Sequence, residues 1–210
     1  GNIYVHALGN RSSGHSSQEN IRKAIPHLEI VVRKKPEDSD SLFTLARLYR
    51  MNNQIEEAEE AFKKILKNRP SSRSALGSLA QVYSDRGDYA QVIELLEKAP
   101  QENISTQLLT ALAFAYHQTG KLEEASRHYE STLEREPDNQ QVRQIYVRVL
   151  VARQEFERAQ AELERLLEAD EENGEAYRLL SEVHRREGNF EEAERAIERA
   201  REVQPDNIEI

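Results

Sequence analysis

The 210-residue chain has no cysteine, no tryptophan and a single methionine. Without cysteine there is no disulfide framework, no thiolate nucleophile and no cysteine-ligated zinc or iron–sulfur centre, and the redox compartment stays open. Apolar residues are scarce too: 38% of the chain is hydrophobic and 32% charged, where a typical domain is about 25% charged and roughly 45–50% apolar with glycine counted. A chain this polar is too poor in apolar surface for one large core, so either the core is thin and distributed or part of the chain is unfolded. No apolar run approaches the ~20 residues that cross a bilayer, and the N-terminus lacks the basic, apolar and small-residue regions of a secretory signal. The chain starts at Gly1 without a Met and reads as a piece of a longer protein; a soluble chain is expected, with cytoplasm and periplasm both open. The net charge of −9 argues against a partner held by its phosphate backbone, so no nucleic acid is expected.

What the chain does have is a period. Pro36 and Pro70 are 34 residues apart, Pro70 and Pro137 are 67 apart, and Pro205 lies 68 beyond that. A period near 34 residues is the mark of a helical solenoid. Repeats starting three residues after each proline position open at Ser39, Arg73, Thr106, Gln140 and Gly174. Their fourth, seventh and eleventh positions are Leu42, Leu45 and Tyr49, then Leu76, Leu79 and Tyr83, then Leu109, Leu112 and Tyr116. That spacing is one face of an amphipathic helix. The eighth position is small in Ala46, Ala80, Ala113 and Ser181, and the twentieth in Ala58, Ala125, Ala159 and Ala193, with Val92 as the bulky exception. Small residues at two facing points let two helices approach closely.

The fifteenth position is Gly87, Gly120 and Gly188, with Asn53 in the first repeat and Gln154 as the departure in the fourth. Gly, and less freely Asn, supplies the left-handed residue that ends a helix. Acidic pairs follow in Glu56-Glu57, Glu123-Glu124 and Glu191-Glu192, where they complement the dipole of the second helix. Pro100 is expected to shorten the second helix of the second repeat by about a turn. Upstream, Ala24, Leu28 and Val31 fit a second helix ending at Pro36, with a kink expected at Pro26. Residues 2–9 read as a short helix and Asn10 to Ser17 as a Ser/Gly-rich loop.

These residues resemble the tetratricopeptide repeat family, whose pattern is W-x2-L-G-x2-Y, then A-x3-F, then P. The best copies are Leu42, Leu45, Ala46, Tyr49, Ala58, Phe62, Pro70 and Leu109, Leu112, Ala113, Tyr116, Ala125, Tyr129, Pro137. The opening Trp is replaced throughout, by Leu, Arg143 or Tyr177, and Glu171 stands where a proline is expected. The resemblance implies an all-α, right-handed superhelical solenoid of antiparallel helix pairs. Five repeats are expected at 39–72, 73–105, 106–139, 140–173 and 174–207. Residues 1–38 read as a degenerate repeat with a stretched loop, and 208–210 as the start of a following segment. No polar capping helix closes the C-terminal end, which leaves association between copies through uncapped ends open.

Little in the chain points to chemistry. There is no Gly-rich phosphate loop, no serine in a nucleophile elbow and no histidine pair at metal spacing, so neither a catalytic residue, a metal nor a cofactor is expected. His184 takes the eleventh position and reads as half-buried and structural; His128 reads as exposed on a second helix. The resemblance instead implies a non-catalytic interaction scaffold whose concave face is lined by first-helix positions two, five, six, nine, twelve and thirteen. Those offsets select Phe43, Arg47, Arg50, Met51, Gln81, Gln107, Phe114, His117, Gln144, Arg148, Arg178 and Arg185 as groove residues, with Ser74, Gly77 and Ser78 among their neighbours. Arg forks would grip carboxylates, Phe and Met would anchor apolar groups, and Gln would pair with a peptide backbone.

An acidic or polar peptide or protein segment is the expected partner. The family's chaperone-tail clamp is not expected, because its Lys, Asn and Arg positions are here Phe43, Arg47, Ser78, Gln107 and Ala111. Charge drifts along the chain, from 12 basic and 9 acidic residues in 1–70 to 11 basic and 19 acidic in 138–210. That polarity suits a rival reading, a self-assembly or spacer module within a larger protein.

Overall fold

The computed structural model of the chain describes residues 14–205. Among them the only regular structure is helical: α1 (Gly14–Lys34), α2 (Ser39–Met51), α3 (Ile55–Asn68), α4 (Arg73–Arg86), α5 (Tyr89–Glu97), a 3-10 turn (Gln101–Asn103), α6 (Thr106–Gln118), α7 (Leu122–Arg135), α8 (Gln140–Ala152), α9 (Phe156–Ala169), α10 (Gly174–Glu187) and α11 (Phe190–Val203). The chain divides into two compact units between Leu108 and Leu109. In unit 1, α1 packs on α2, α2 on α3, α3 on α4 and α4 on α5; in unit 2, α7 packs on α8 and each later helix on the next.

Local chemistry sets where the helices start and stop. One residue before each of α2, α4, α6, α8 and α10 stands a side chain that accepts from an otherwise orphaned amide of the first turn. Asp38 accepts from Asp40 and Ser41 at 3.2 Å, Ser72 from Ala75 at 3.4 Å, Ser105 from Leu108 at 3.3 Å, Asn139 from Val142 at 3.1 Å and Asn173 from Ala176 at 3.0 Å. Each such cap stabilises its helix by about 1 kcal/mol. The same helices end on a left-handed residue, with φ of 61° at Asn53, 76° at Gly87, 75° at Gly120, 62° at Gln154 and 86° at Gly188. Gln154 thus takes the glycine conformation despite its side chain, because the tight return to α9 requires it.

The core of each unit is built on small contacts. Ala46, Ala80 and Ala113 on the first helices are buried, as are Ala58, Val92, Ala125 and Ala159 on the second helices. Phe62 and Tyr129 are the largest fully enclosed side chains. Every helix hides one stripe against its neighbours and gives the rest to solvent, which accounts for the low apolar fraction without any appeal to disorder.

Helix α5 has 9 residues where α3, α7, α9 and α11 have 14, and the chain then passes through Pro100 into the 3-10 turn, as the proline dictates. Two readings change. Gly14 to Ser17 are helical rather than part of a loop; they continue N-terminally a helix anchored by Ile21, Ala24, Ile25 and Leu28 against Leu45 and Leu48. The short helix read at 2–9 lies outside the described residues. Pro26 lies inside α1, as read from the sequence, and is exposed. His128 is half-buried, not exposed, because its ring stacks on Tyr116 at 5.4 Å and 4°.

Candidate peptide-binding face

The sequence-selected residues fall six in each unit. In unit 1, α2, α4 and the start of α6 enclose a recess of about 490 Å³. Phe43 and Arg50 line it from α2, Gln107 and Leu108 from α6. Helix α4 contributes Ser74, Gly77, Ser78 and Gln81, spaced three, one and three apart, so that they form a single stripe along the helix. Gly77 makes the stripe deep. A Cβ there would meet only Leu108 Cδ2, at 3.9 Å, so its missing side chain is space that the fold leaves unused.

The recess has an apolar wall and polar ends. Phe43 is half-buried and sets its edge against Phe62 with ring centroids 5.7 Å apart, so it is held rather than free to swing. Arg50 pairs with Asp85 at 3.6 Å, and Gln81 Nε2 donates to Asp85 at 2.6 Å. Arg50 Nε is buried and without a partner, a donor ready for an acceptor. Gln107 is exposed. Offsets alone missed Arg73, Ser105 and Leu108; Arg73 Nη2 donates to the Glu102 carbonyl at 2.8 Å. Arg47 and Met51 lie outside the recess, both exposed, and Arg47 makes no ion pair among the described residues.

In unit 2 the arginines are mostly spoken for. Glu175 accepts from Arg148 on α8 at 2.7 Å and from Arg178 at 2.7 Å. These bonds, the Arg178 one first, hold its carboxyl below the ordinary range against the opposing effect of burial. Arg186 pairs with Glu182 at 2.7 Å, while Arg185 is exposed and makes no ion pair among the described residues. His117 is half-buried with Nδ1 lacking a partner; burial, and secondly the Arg148 charge, push it below the usual imidazole value. Phe114 is 37% exposed and Gln144 half-buried. Arg148, Arg178 and Arg186 are therefore consumed in pairs with acids of the same face. Among the described residues, no helix is long and apolar enough to cross a membrane.

Comparison with known proteins matches the sequence to two family models, one of which covers most of the chain. The tetratricopeptide repeat model matches residues 16–82, 116–181 and 150–210, and that of anaphase-promoting complex, cyclosome, subunit 3 matches residues 51–132. A TPR repeat-containing protein of Pseudomonas aeruginosa is 26% identical over 127 residues, 60% of this chain and 22% of the relative. The TPR repeat-containing protein YpiA of Bacillus subtilis is 30% identical over 122 residues, 55% of this chain and 28% of the relative. The chain thus spans under a third of the length of these curated relatives. Among solved structures, YrrB, described as a TPR protein with an unusual peptide-binding site, superposes with a TM-score of 0.75 at 19% identity, covering 86% of this chain and 94% of YrrB.

Proposed function

The chain belongs to the tetratricopeptide repeat family, and on that premise we propose that it is a non-catalytic interaction scaffold, with five repeats over 39–207, that holds an extended peptide segment on its first-helix face. Proteins of this family bind protein or peptide partners. The recess of unit 1 carries the reading. An extended peptide asks for an apolar anchor, main-chain hydrogen-bond partners and room for its backbone to come close. Phe43 offers the first, Arg50 Nε, Gln107 and the free Gln81 carbonyl oxygen the second, and the Ser74–Gly77–Ser78 stripe the third. YrrB, similar in fold, carries a peptide-binding site by its own description. Because Arg50 is already paired with Asp85, the segment this recess suits is polar with one apolar anchor rather than strongly acidic.

Gly77→Met tests the proposal. It fills the recess from a position where a Cβ meets no obstacle, and it raises helix propensity by about 1 kcal/mol, so the fold is retained. Peptides selected from a displayed random library against the full chain are expected to lose binding to Gly77→Met and to Phe43→Ala. Selected peptides that bind Gly77→Met as well as the parent chain overturn the proposal. So does a failure to select any peptide while sedimentation shows concentration-dependent self-association, which favours the assembly reading.

A further inference from the structure

The fourth position of the repeat is an uncharged, mostly apolar residue in every copy but one. It is Leu42, Leu76 and Leu109 in the first three repeats and Tyr177 in the last, but Arg143 in the fourth. Arg143 is 5% exposed. Its guanidinium is paired with Glu162 on α9 and also donates to the Pro137 carbonyl. The place of Glu162 is taken by Ala61 in the first repeat and Ala196 in the last. A buried ion pair is a poor source of stability, because desolvating the two charges cancels much of their attraction and apolar replacements are often neutral or better. Other repeats of the same chain close without one, so packing does not account for it.

The pair sits in a cavity of about 810 Å³ in unit 2, walled by α7 and α9 and floored by α8. Two buried polar atoms of its lining, Arg143 Nε and Gln140 Oε1, have no partner, and neither does the enclosed Tyr129 hydroxyl, whose ring lies 6.4 Å from that of Tyr146 in the lining. Buried groups of this kind are costly to leave unmet. An acceptor is wanted at Arg143 and a donor at Gln140, and the successive C=O and N–H of an extended main chain supply both. Around the rim the cations are engaged: Arg158 with Glu130 at 3.0 Å and the Tyr146 hydroxyl at 2.6 Å, Arg165 with Glu162 at 2.5 Å. Glu134, Asp138 and Glu168 also line the cavity and make no ion pair among the described residues. The uncommitted charge is negative.

We propose that this cavity, on the second-helix side of unit 2, is a binding site for an extended basic peptide segment. The main chain of the segment lies on Arg143 and Gln140, and its Lys or Arg side chains reach Glu134, Asp138 and Glu168. Every second side chain of an extended strand points the same way, so alternate basic residues fit one rim. The 19 acidic against 11 basic residues of 138–210 draw such a segment in.

The test is fluorescence anisotropy with a labelled peptide of alternating Lys and Ser, and a Glu and Ser peptide as the sign control, on the full chain at low salt. The Lys peptide is expected to bind and the Glu peptide not. R143L/E162A recreates the Leu and Ala of the first repeat and is expected to fold, as judged by helical circular dichroism, and to weaken binding about tenfold or more. E134Q/E168Q, which alters only exposed rim residues, is expected to weaken it several-fold and to reduce its salt dependence. E191Q/E192Q on α11 makes the same charge change elsewhere and is expected to leave it intact. The proposal is overturned if the parent chain does not prefer the Lys peptide, if R143L/E162A binds as the parent does, or if the α11 control loses as much as the rim variant. Should R143L/E162A not fold, the rim variant against its control decides.

Discussion

Arg148 on α8 donates through Nη2 to Glu175 on α10 at 2.7 Å, and Arg178 brings two further hydrogen bonds of 2.7 Å to the same carboxylate. One titratable group therefore holds two of the cations that the sequence places on this face. With its pKa depressed from the ordinary 4.5, Glu175 stabilises the fold above that value and loses its contribution as the pH falls below it, because the unfolded chain takes up the proton first. Glu175→Gln is expected to flatten the acid decline of the melting temperature below about pH 4.5 and to cost at most about 1 kcal/mol near neutrality, since the pairs are partly exposed. Thermal melts of both proteins from acid to neutral pH decide this; parallel acid limbs would remove Glu175 from the account.

His117 works in the opposite chemical sense but gives a slope of the same sign. Burial, then the nearby Arg148 charge, lowers its pKa from 6.5, so the unfolded chain binds the proton more readily and stability falls as pH drops through the window below 6.5. An NMR titration is expected to place the His117 midpoint under that value. Arg148→Ala is expected to raise it by the smaller part of the shift, with burial supplying what remains. A midpoint unmoved by Arg148→Ala would show that the charge is not felt at the imidazole.

Gln154 at φ 62° and Gly120 at φ 75° occupy the same turn in successive repeats. The left-handed conformation costs a residue with a Cβ about 1–2 kcal/mol, and part of the relief from installing glycine is returned through a freer unfolded chain. Gln154→Gly is expected to stabilise by about 0.5–1 kcal/mol. Gly120→Ala is expected to destabilise by about 1 kcal/mol, and as nothing lies within 4 Å of its Cβ, that cost is conformational alone. Denaturant titrations of the pair check both signs; a destabilised Gln154→Gly would mean that the Gln side chain carries contacts outweighing its strain.

Much of the fold was legible because it repeats. The Leu–Leu–Tyr stripe, the small residues at positions eight and twenty and the left-handed fifteenth position recur at fixed offsets, and each has a local cause. The site was less legible, because its energetics run between repeats. Offsets place Arg50 and Asp85 on one face but do not say that they meet, and the same holds for Arg148 and Glu175. His128 looked exposed for the same reason, since its partner Tyr116 lies on the other helix of the pair. Gly77 stood among the selected neighbours as a small residue, but the depth it leaves depends on Phe43 and Leu108 rising on either side. Arg143 was visible as a departure from pattern, and its meaning depended on Glu162, which only the placement of α9 brings to it.

That last pair makes an asymmetric prediction about stability. Glu162→Ala leaves Arg143 buried with its charge unanswered, and is expected to cost about 3 kcal/mol or more. Arg143→Leu is expected to cost less, because Glu162 is 13% exposed in its side chain and keeps Arg165 at 2.5 Å. The double variant restores the apolar closure of the first repeat and is expected to fall near the parent stability. The coupling between the two sites is then large and favourable to the double variant, well beyond the few tenths of a kcal/mol expected of independent positions. Chemical unfolding of the four proteins measures it. Additive losses would mean that the two side chains are not coupled. A double variant well below the parent would mean that the ion pair is a net support of the fold, returning Arg143 to the packing explanation that the other repeats argue against.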